Sequence, residues 1–129
     1  MIRGIDGITL FSQNASKLAK FYTETVGLKS TGEFVMGEGK KESSVYMFEF
    51  SKTSDFAIID HSKVKGKNKN PERYIINFEV DDIKKEVARL KRKKVKGVAE
   101  TYHVEGYGWI ATFADPEGNF FQMVQVRPS

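Results

Sequence analysis

Two stretches of the chain carry apolar residues at helical spacing, and strand-like runs flank each of them. After a strand-like run over residues 5–11, Asn14 can cap a helix that ends at Gly27. The apolar positions of this helix share one face: Ala15, Leu18, Phe21, Tyr22 and Val26. Three more runs typical of strands follow at 29–36, 44–50 and 56–60. The first half of the chain therefore predicts the order β-α-β-β-β.

The same order returns in the second half. A strand over 74–80 leads to a cap at Asp81-Asp82 and to a helix with Ile83, Val87 and Leu90 facing inward. Strands over 98–103, 109–114 and 120–125 complete the unit. The opening strands of the halves are about 68 residues apart, which indicates a duplication. We predict an α+β fold: two βαβββ modules form a curved eight-stranded mixed sheet around a cavity, with helices on the outside.

Length and composition limit the possible classes of protein. At 129 residues we expect one domain, with module one at 1–61, a basic linker at 62–72 and module two at 73–129. The absence of cysteine excludes disulfides, thiolate metal sites and a cysteine nucleophile. The chain shows no signal-peptide core and no bilayer-length apolar run, so we predict a cytoplasmic protein without membrane contact.

The net charge of +4 comes largely from two lysine-rich segments. Segment 63–69 mixes Lys with Gly and Asn, which is typical of a solvated linker. A contact with nucleic acid is the less favoured alternative, and salt-sensitive binding to DNA or RNA would support it. Segment 91–96 lies in the last turns of the second helix, where cations complement the helix dipole.

A tight turn is predicted at 115–118. Asp115 and Asn119 can cap its backbone, Pro116 presets φ, and Gly118 accepts a positive φ. With four residues in the turn, the predicted pairs of the hairpin are Phe113 with Phe120, Ala111 with Gln122, and Trp109 with Val124.

If Gln122 points into the cavity, strand alternation predicts which other side chains line it. Aromatic rings would stack on a planar or hydrophobic ligand, and polar groups would hold its polar atoms. The predicted ligand-binding residues are Thr9, Phe11, Asn77, Glu79, Trp109, Phe113, Phe120 and Gln122. The alternative interpretation is that these aromatic residues simply fill a core.

The two histidines give weak indications of chemistry. His61 follows the fourth strand, and His103 lies in a Gly-containing aromatic segment that we expect to be a loop at the cavity mouth. An exposed or hydrogen-bonded histidine of no catalytic role is the simpler interpretation for both. If the protein performs acid or base chemistry, Glu79 and His103 are the candidates.

Four segments in order, 4–11, 18–28, 76–82 and 108–125, resemble the vicinal oxygen chelate superfamily. This superfamily groups glyoxalase I, extradiol dioxygenases, fosfomycin-resistance enzymes and bleomycin-resistance proteins. The resemblance implies the predicted fold and a homodimer. It also implies a metal centre that takes one ligand from the opening strand and one from the closing strand of each module.

By the resemblance, the ligand positions fall at Gly7, Ile58, Ile75 and Gln122, none of which suits a metal ion. Asp60 shares the face of Ile58 and is a candidate for a displaced carboxylate. We therefore expect a protein without metal or other cofactor that sequesters a small aromatic or hydrophobic molecule, as the bleomycin-resistance branch does. The alternative is a lyase or dioxygenase-like enzyme with a Glu or His base, or with a displaced metal site built from Asp60, His61 or His103.

Overall fold

The computed structural model describes residues 1–39, 42–50 and 54–126. The chain divides into two compact units, Met1–Gly66 and Lys67–Ser129, which we call module one and module two. The described residues contain eight strands, which form two four-stranded mixed sheets, one in each module, and one helical segment in each module. The predicted α+β class with two βαβββ modules is confirmed.

Module one has its strands in the order β1-β4-β3-β2. Strand β1 is parallel to β4, and the other two pairs are antiparallel. Its elements are β1 (Gly7–Ser12), α1 (Ala15–Lys20), a π-helical continuation of α1 (Phe21–Val26), β2 (Gly32–Met36), β3 (Ser43–Phe48) and β4 (Asp55–Asp60).

The first helix begins and ends where its sequence predicts. The Asn14 side chain accepts a hydrogen bond from the Lys17 backbone N–H at 3.1 Å, which satisfies one of the free donors of the first turn. Gly27 ends the helical segment with φ of 100°, a left-handed conformation that glycine adopts without steric cost. The predicted apolar face is buried, except that Phe21 is half-buried.

Module two repeats this topology with the strand order β5-β8-β7-β6. Its elements are β5 (Ile76–Glu79), α2 (Ile83–Arg92), β6 (Lys96–Val104), β7 (Gly108–Ala114) and β8 (Phe120–Val126). The Asp82 carboxylate caps α2 by accepting from the Lys85 N–H at 3.2 Å. Ile83, Val87 and Leu90 are buried, as their spacing predicts.

Each sheet packs its helix against one side, which we call the helix-proximal face, and we call the other side the helix-distal face. On the helix-proximal face of module one, Phe48 stacks on Phe56 with ring centroids 5.6 Å apart. On the helix-proximal face of module two, Phe113 stacks on Phe121 at 5.9 Å. All four rings are at most 3% exposed, so each pair is the centre of its module's core.

The predicted linker carries exposed lysines on a backbone that is partly anchored. The Gly66 N–H donates to the Gln13 side chain at 3.1 Å. The Asn68 N–H donates to the Glu117 carbonyl oxygen at 2.8 Å, and the Asn68 side-chain amide donates to Asn119 at 3.1 Å. Over the described ranges, no helix combines the length and apolar character needed to cross a membrane.

Candidate ligand-binding faces

A row of polar side chains crosses the helix-distal face of module two. Asn77 of β5 pairs with Gln122 of β8, and Gln122 pairs with Thr112 of β7. The Gln122 side-chain nitrogen donates to the Thr112 hydroxyl at 2.9 Å. This bond orients the amide along the sheet, so its carbonyl oxygen is the part that can accept from a bound molecule. Asn77 is exposed beside it and can both donate and accept.

Glu79 and Phe120 lie on the same face as this row. Glu79 pairs with Val124 in the parallel ladder, and Phe120 pairs with Ala114 across the hairpin. Glu79 is exposed and Phe120 is half-buried. Strand alternation therefore places Asn77, Glu79, Phe120 and Gln122 on one face, as predicted.

Trp109 and Phe113 do not share that face, so the predicted register of the hairpin is wrong by one residue. Phe113 pairs with Phe121 instead of Phe120, and Trp109 pairs with Gln125 instead of Val124. A shift of one residue moves a side chain to the opposite face of a sheet. Both rings thus lie on the helix-proximal face, where Phe113 belongs to the core.

The cause of the shift is the length of the turn. The Asp115 N–H donates to the Asn119 carbonyl oxygen at 2.8 Å, so the turn contains Pro116, Glu117 and Gly118 only. Gly118 has φ of 79°, which fits a three-residue hairpin turn with a left-handed residue. The Asp115 carboxylate accepts from the backbone N–H groups of Glu117 and Asn119 at 2.8 and 3.0 Å. The predicted capping role of Asp115 is therefore confirmed, although the turn is shorter than predicted.

Thr9 and Phe11 lie on the helix-distal face of module one, as alternation predicts. Thr9 pairs with Ala57, and Phe11 pairs with Ile59. Phe11 is 43% exposed and meets the His61 ring edge-on at 5.0 Å. The His61 Nδ1 accepts from the Lys63 N–H at 3.0 Å, so this histidine orders the start of the linker.

In module one, the residue that corresponds to Gln122 on the last strand is Ala57 and not Ile58. Thr9 corresponds to Asn77 in the duplication, and their partners in the parallel ladders are Ala57 and Gln122. Ile58 is fully buried on the helix-proximal face. We misassigned it because a parallel pair has no connecting turn from which to read its register.

Asp60 does share the face of Ile58, but this is the side that packs on α1. Its carboxylate accepts from the Ala15 N–H at 2.6 Å, at the start of the helix. A negative charge is stabilised at this end of a helix. Asp60 is therefore a structural residue at the helix terminus. It does not lie on the helix-distal face, where a displaced metal ligand would have to be.

His103 lies in β6, which agrees with the predicted strand over 98–103 but not with the loop that we also expected around this residue. It pairs with Trp109, and the two ring centroids are 4.7 Å apart. Because Trp109 faces the helix side, His103 and Glu79 occupy opposite faces of the module-two sheet. The two candidates for acid or base chemistry therefore cannot act on the same bound molecule.

Sequence reasoning missed Thr112 as part of the polar row. The predicted register placed Ala111 next to Gln122 and turned Thr112 toward the helix. The sequence Asp-Pro-Glu-Gly is also compatible with a three-residue turn. A prediction with that turn length would have paired Thr112 with Gln122.

A sequence model of the Glyoxalase/Bleomycin resistance protein/Dioxygenase superfamily matches residues 4–123, which is nearly the whole chain. The chain belongs to this superfamily. A search of curated proteins found no match.

Solved structures show that the chain has the superfamily's fold. It matches the trypanothione-dependent glyoxalase I of Leishmania major with a TM-score of 0.75 and 17% identity, over 96% of this chain and 87% of that one. The fosfomycin resistance protein FosX of Listeria monocytogenes matches with a TM-score of 0.72 and 18% identity, over 98% and 96%. TnmS3, an antibiotic binding protein from Streptomyces sp. CB03234, matches with a TM-score of 0.68 and 19% identity, over 98% of both chains.

The residues of this superfamily member do not fit the metal ion that the vicinal oxygen chelate resemblance implies. The opening and closing positions are Gly7 and Ala57 in module one, and Ile75 and Gln122 in module two. None carries an imidazole, carboxylate or thiolate, which are the groups that hold such ions. In the part of the chain that the structure describes, no three His, Asp or Glu side chains are grouped closely enough to bind a metal ion.

The backbone around Gly7 adds a steric reason. A Cβ atom at Gly7 would lie 2.9 Å from the carbonyl oxygen of Asp55, in the neighbouring strand. Contacts this short between a Cβ atom and backbone force the chain to move. A histidine at this position would therefore need a different spacing between β1 and β4.

Proposed function

We propose that the protein binds a small organic molecule, without a metal ion, on the helix-distal face of module two. The observation that carries this proposal is the Asn77, Gln122 and Thr112 row. Amides and a hydroxyl are poor ligands for a transition metal and good hydrogen-bonding partners for an organic molecule. Gln122 lies at the position where the resemblance implies a metal-binding carboxylate.

The neighbouring side chains indicate the character of the ligand. Phe120 offers a ring for an aromatic or hydrophobic part, and Asn77 with Gln122 offers hydrogen bonds to a polar edge. Glu79 adds one exposed negative charge at the end of β5. For module one taken by itself, we propose Thr9 and Phe11 as ligand-binding residues, because both are exposed on its helix-distal face.

The similar solved structures support sequestration as one of the roles that proteins of this fold perform. TnmS3 is an antibiotic binding protein, whereas glyoxalase I and FosX are an enzyme and a resistance protein of the same fold. Their identities to this chain are below 20%, so they show the fold and leave the ligand to be found by experiment.

We also propose that the protein is a homodimer. Strand β2 is an edge strand of the module-one sheet, and Phe34, Val35 and Met36 on it are 50%, 56% and 48% exposed. An edge strand with exposed apolar side chains is a surface that a second chain can cover.

Native mass spectrometry of protein purified from its host tests these proposals together. We expect a dimer mass and an additional small-molecule mass that is lost in Asn77→Ala and Gln122→Ala. Gln13→Ala is the matched control, because Gln13 bonds the Gly66 backbone in module one, and it should retain the molecule. Stoichiometric zinc, nickel, manganese or iron in the wild-type protein would contradict the metal-free proposal and favour an enzyme. A small molecule that survives both substitutions would contradict the proposed face.

A further inference from the structure

The position of Trp109 points to a second binding site, on the helix-proximal face of module two. Along β7, Ala111 and Phe113 are 1% and 2% exposed, whereas Trp109 on the same face is 45% exposed. Helix α2 covers the first two and leaves the third uncovered. The His103 ring packs on Trp109 with a centroid distance of 4.7 Å and leaves much of the indole open.

A groove of about 660 Å³ lies beside this indole. Ile83, Val87 and Ala88 of α2 form its apolar wall on the helix side, and Trp109 forms the wall on the sheet side. The volume is in the range typical of small-molecule sites. Strand β6 next to it has register irregularities between Gly97 and Tyr102, a feature often found beside binding sites.

The polar atoms around the groove select the charge of a ligand. The Gln125 side-chain oxygen accepts from the Ile83 N–H at 2.8 Å, so its NH₂ group is the part that is left to bond a ligand. Asp82 uses its carboxylate to accept from the Lys85 N–H at 3.2 Å. Asp82 keeps its negative charge and its second oxygen beside the groove. Two lysines and the Gln125 NH₂ group also line the groove, so positive charge and hydrogen-bond donors are in excess there.

Two lysines line the groove, and they differ in their pairing. Lys91 forms an exposed ion pair with Glu100 at 3.3 Å. For Lys84, the described residues provide no carboxylate within ion-pair distance. A cationic ligand would meet Lys84 as a like charge, whereas an anionic one would gain an opposite charge at the rim.

We infer that this groove binds a planar aromatic carboxylate, with its ring against Trp109 and its carboxylate near Lys84 and the Gln125 amide nitrogen. Stacking on an indole and burial against the α2 wall supply the apolar part of the affinity. The donors supply the preference for acceptor oxygens. This site is separate from the proposed site at Gln122, because the two lie on opposite faces of the sheet.

Calorimetric titration of the purified protein with 2-naphthoate and with its neutral analogue 2-naphthamide tests the inference. We expect 2-naphthoate to bind about tenfold more tightly, since it alone carries the charge that Lys84 complements. Trp109→Ala should weaken 2-naphthoate by about tenfold or more through the loss of stacking and buried area. Circular dichroism of each variant checks that the fold is retained.

A matched pair of lysines makes the test specific. Lys84→Gln should remove most of the preference for carboxylate over amide. Lys85→Gln changes the net charge equally on the same helix but lies outside the groove, so it should leave the preference intact. Asn77→Ala, on the other face, should leave 2-naphthoate binding unchanged and thereby separates this site from the proposed function.

Three results would overturn the inference: no heat of binding with 2-naphthoate, equal affinity for acid and amide, or an affinity that Trp109→Ala leaves unchanged in a folded variant. Equal effects of Lys84→Gln and Lys85→Gln would assign the preference to overall charge instead of this groove.

Discussion

The two modules share their cores and differ on their helix-distal faces. In each core two phenylalanines stack across an antiparallel pair of strands, Phe48 on Phe56 and Phe113 on Phe121, with interplanar angles of 26° and 25°. Both pairs sit at the same place in the topology, where the third and fourth strands of the module meet. The duplication that the element order predicts therefore extends to individual side-chain contacts.

The helix starts correspond in the same way. The first helical N–H groups, at Ala15 and Ile83, each donate to a side chain near the end of the module's last strand. The acceptor is the Asp60 carboxylate in module one and the Gln125 amide oxygen in module two. The position of the contact is shared, whereas the acceptor side chain differs in charge and in length.

The helix-distal faces have no such correspondence. The central pair is Thr9 with Ala57 in module one, and Asn77 with Gln122 in module two. Packing requirements explain why the cores agree, because a change in a close-packed interior is costly. On the helix-distal face of module two, Thr112 and Val124 are buried as well, whereas Asn77 and Glu79 are exposed, so the exposed positions are the ones that can vary without loss of packing. The amide pair at the centre of the helix-distal face is therefore a feature of module two, and module one has a hydroxyl and a methyl group at the same place.

The largest test of the shared core is truncation of its phenylalanines. Phe56→Ala and Phe121→Ala should each lower the free energy of unfolding by about 3 to 5 kcal/mol, because each removes a fully buried ring. Urea titration followed by circular dichroism measures both. Phe11→Ala is the control, since Phe11 is 43% exposed and should cost far less. Costs that differ widely between the two core variants would break the comparison.

A smaller effect separates the two acceptors at the helix starts. Asp60→Ala should cost about 1.5 to 3 kcal/mol, and Gln125→Ala about 0.5 to 1.5 kcal/mol, because hydrogen bonds to a charged acceptor are the stronger. Thermal unfolding of the two variants ranks them. Asp60→Asn keeps an acceptor without the charge and should lie between Asp60→Ala and wild type. The reverse ranking would mean that helix-terminus charge contributes little here.

The smallest effect concerns the glycine at the opening of module one. Gly7→Ala should lower the free energy of unfolding by about 1 to 2 kcal/mol, because its Cβ would press on the Asp55 carbonyl oxygen. Gly32→Ala is the matched control: a Cβ at Gly32 meets nothing within 4 Å, so the change should be close to neutral. Chemical denaturation resolves this difference. Equal stability of the two variants would reopen Gly7 as a position that tolerates a metal-binding side chain.

Local sequence signals account for much of the fold. Asn14 and Asp82 predict the helix starts because their side chains satisfy free backbone donors, and Gly27 predicts an end because it accepts a left-handed conformation. The apolar spacing of each helix predicts its buried face. These features depend on residues a few positions apart, so a single sequence contains all that is needed.

The candidate site was only partly predictable for a related reason. Alternation along β5 and β8 correctly grouped Asn77, Glu79, Phe120 and Gln122. Within a strand, this grouping requires only that one side chain be assigned to a face, because the others then follow by alternation. Placing Trp109 beside them required the register of β7 against β8. That register depends on whether the turn at Pro116 contains three or four residues, and both lengths suit its sequence.

The sequence alone therefore determined the order of the elements, their caps and the absence of metal-binding side chains at Gly7, Ile75 and Gln122. Only the tertiary structure decided that Ala57 is the module-one counterpart of Gln122, that Asp60 binds a helix terminus, and that Trp109 faces α2. These outcomes depend on hydrogen bonds between distant strands, where a shift of one residue reverses the face of every side chain. The pattern along a strand shows which of its residues share a face. Pairing with the neighbouring strand determines which other side chains lie beside them.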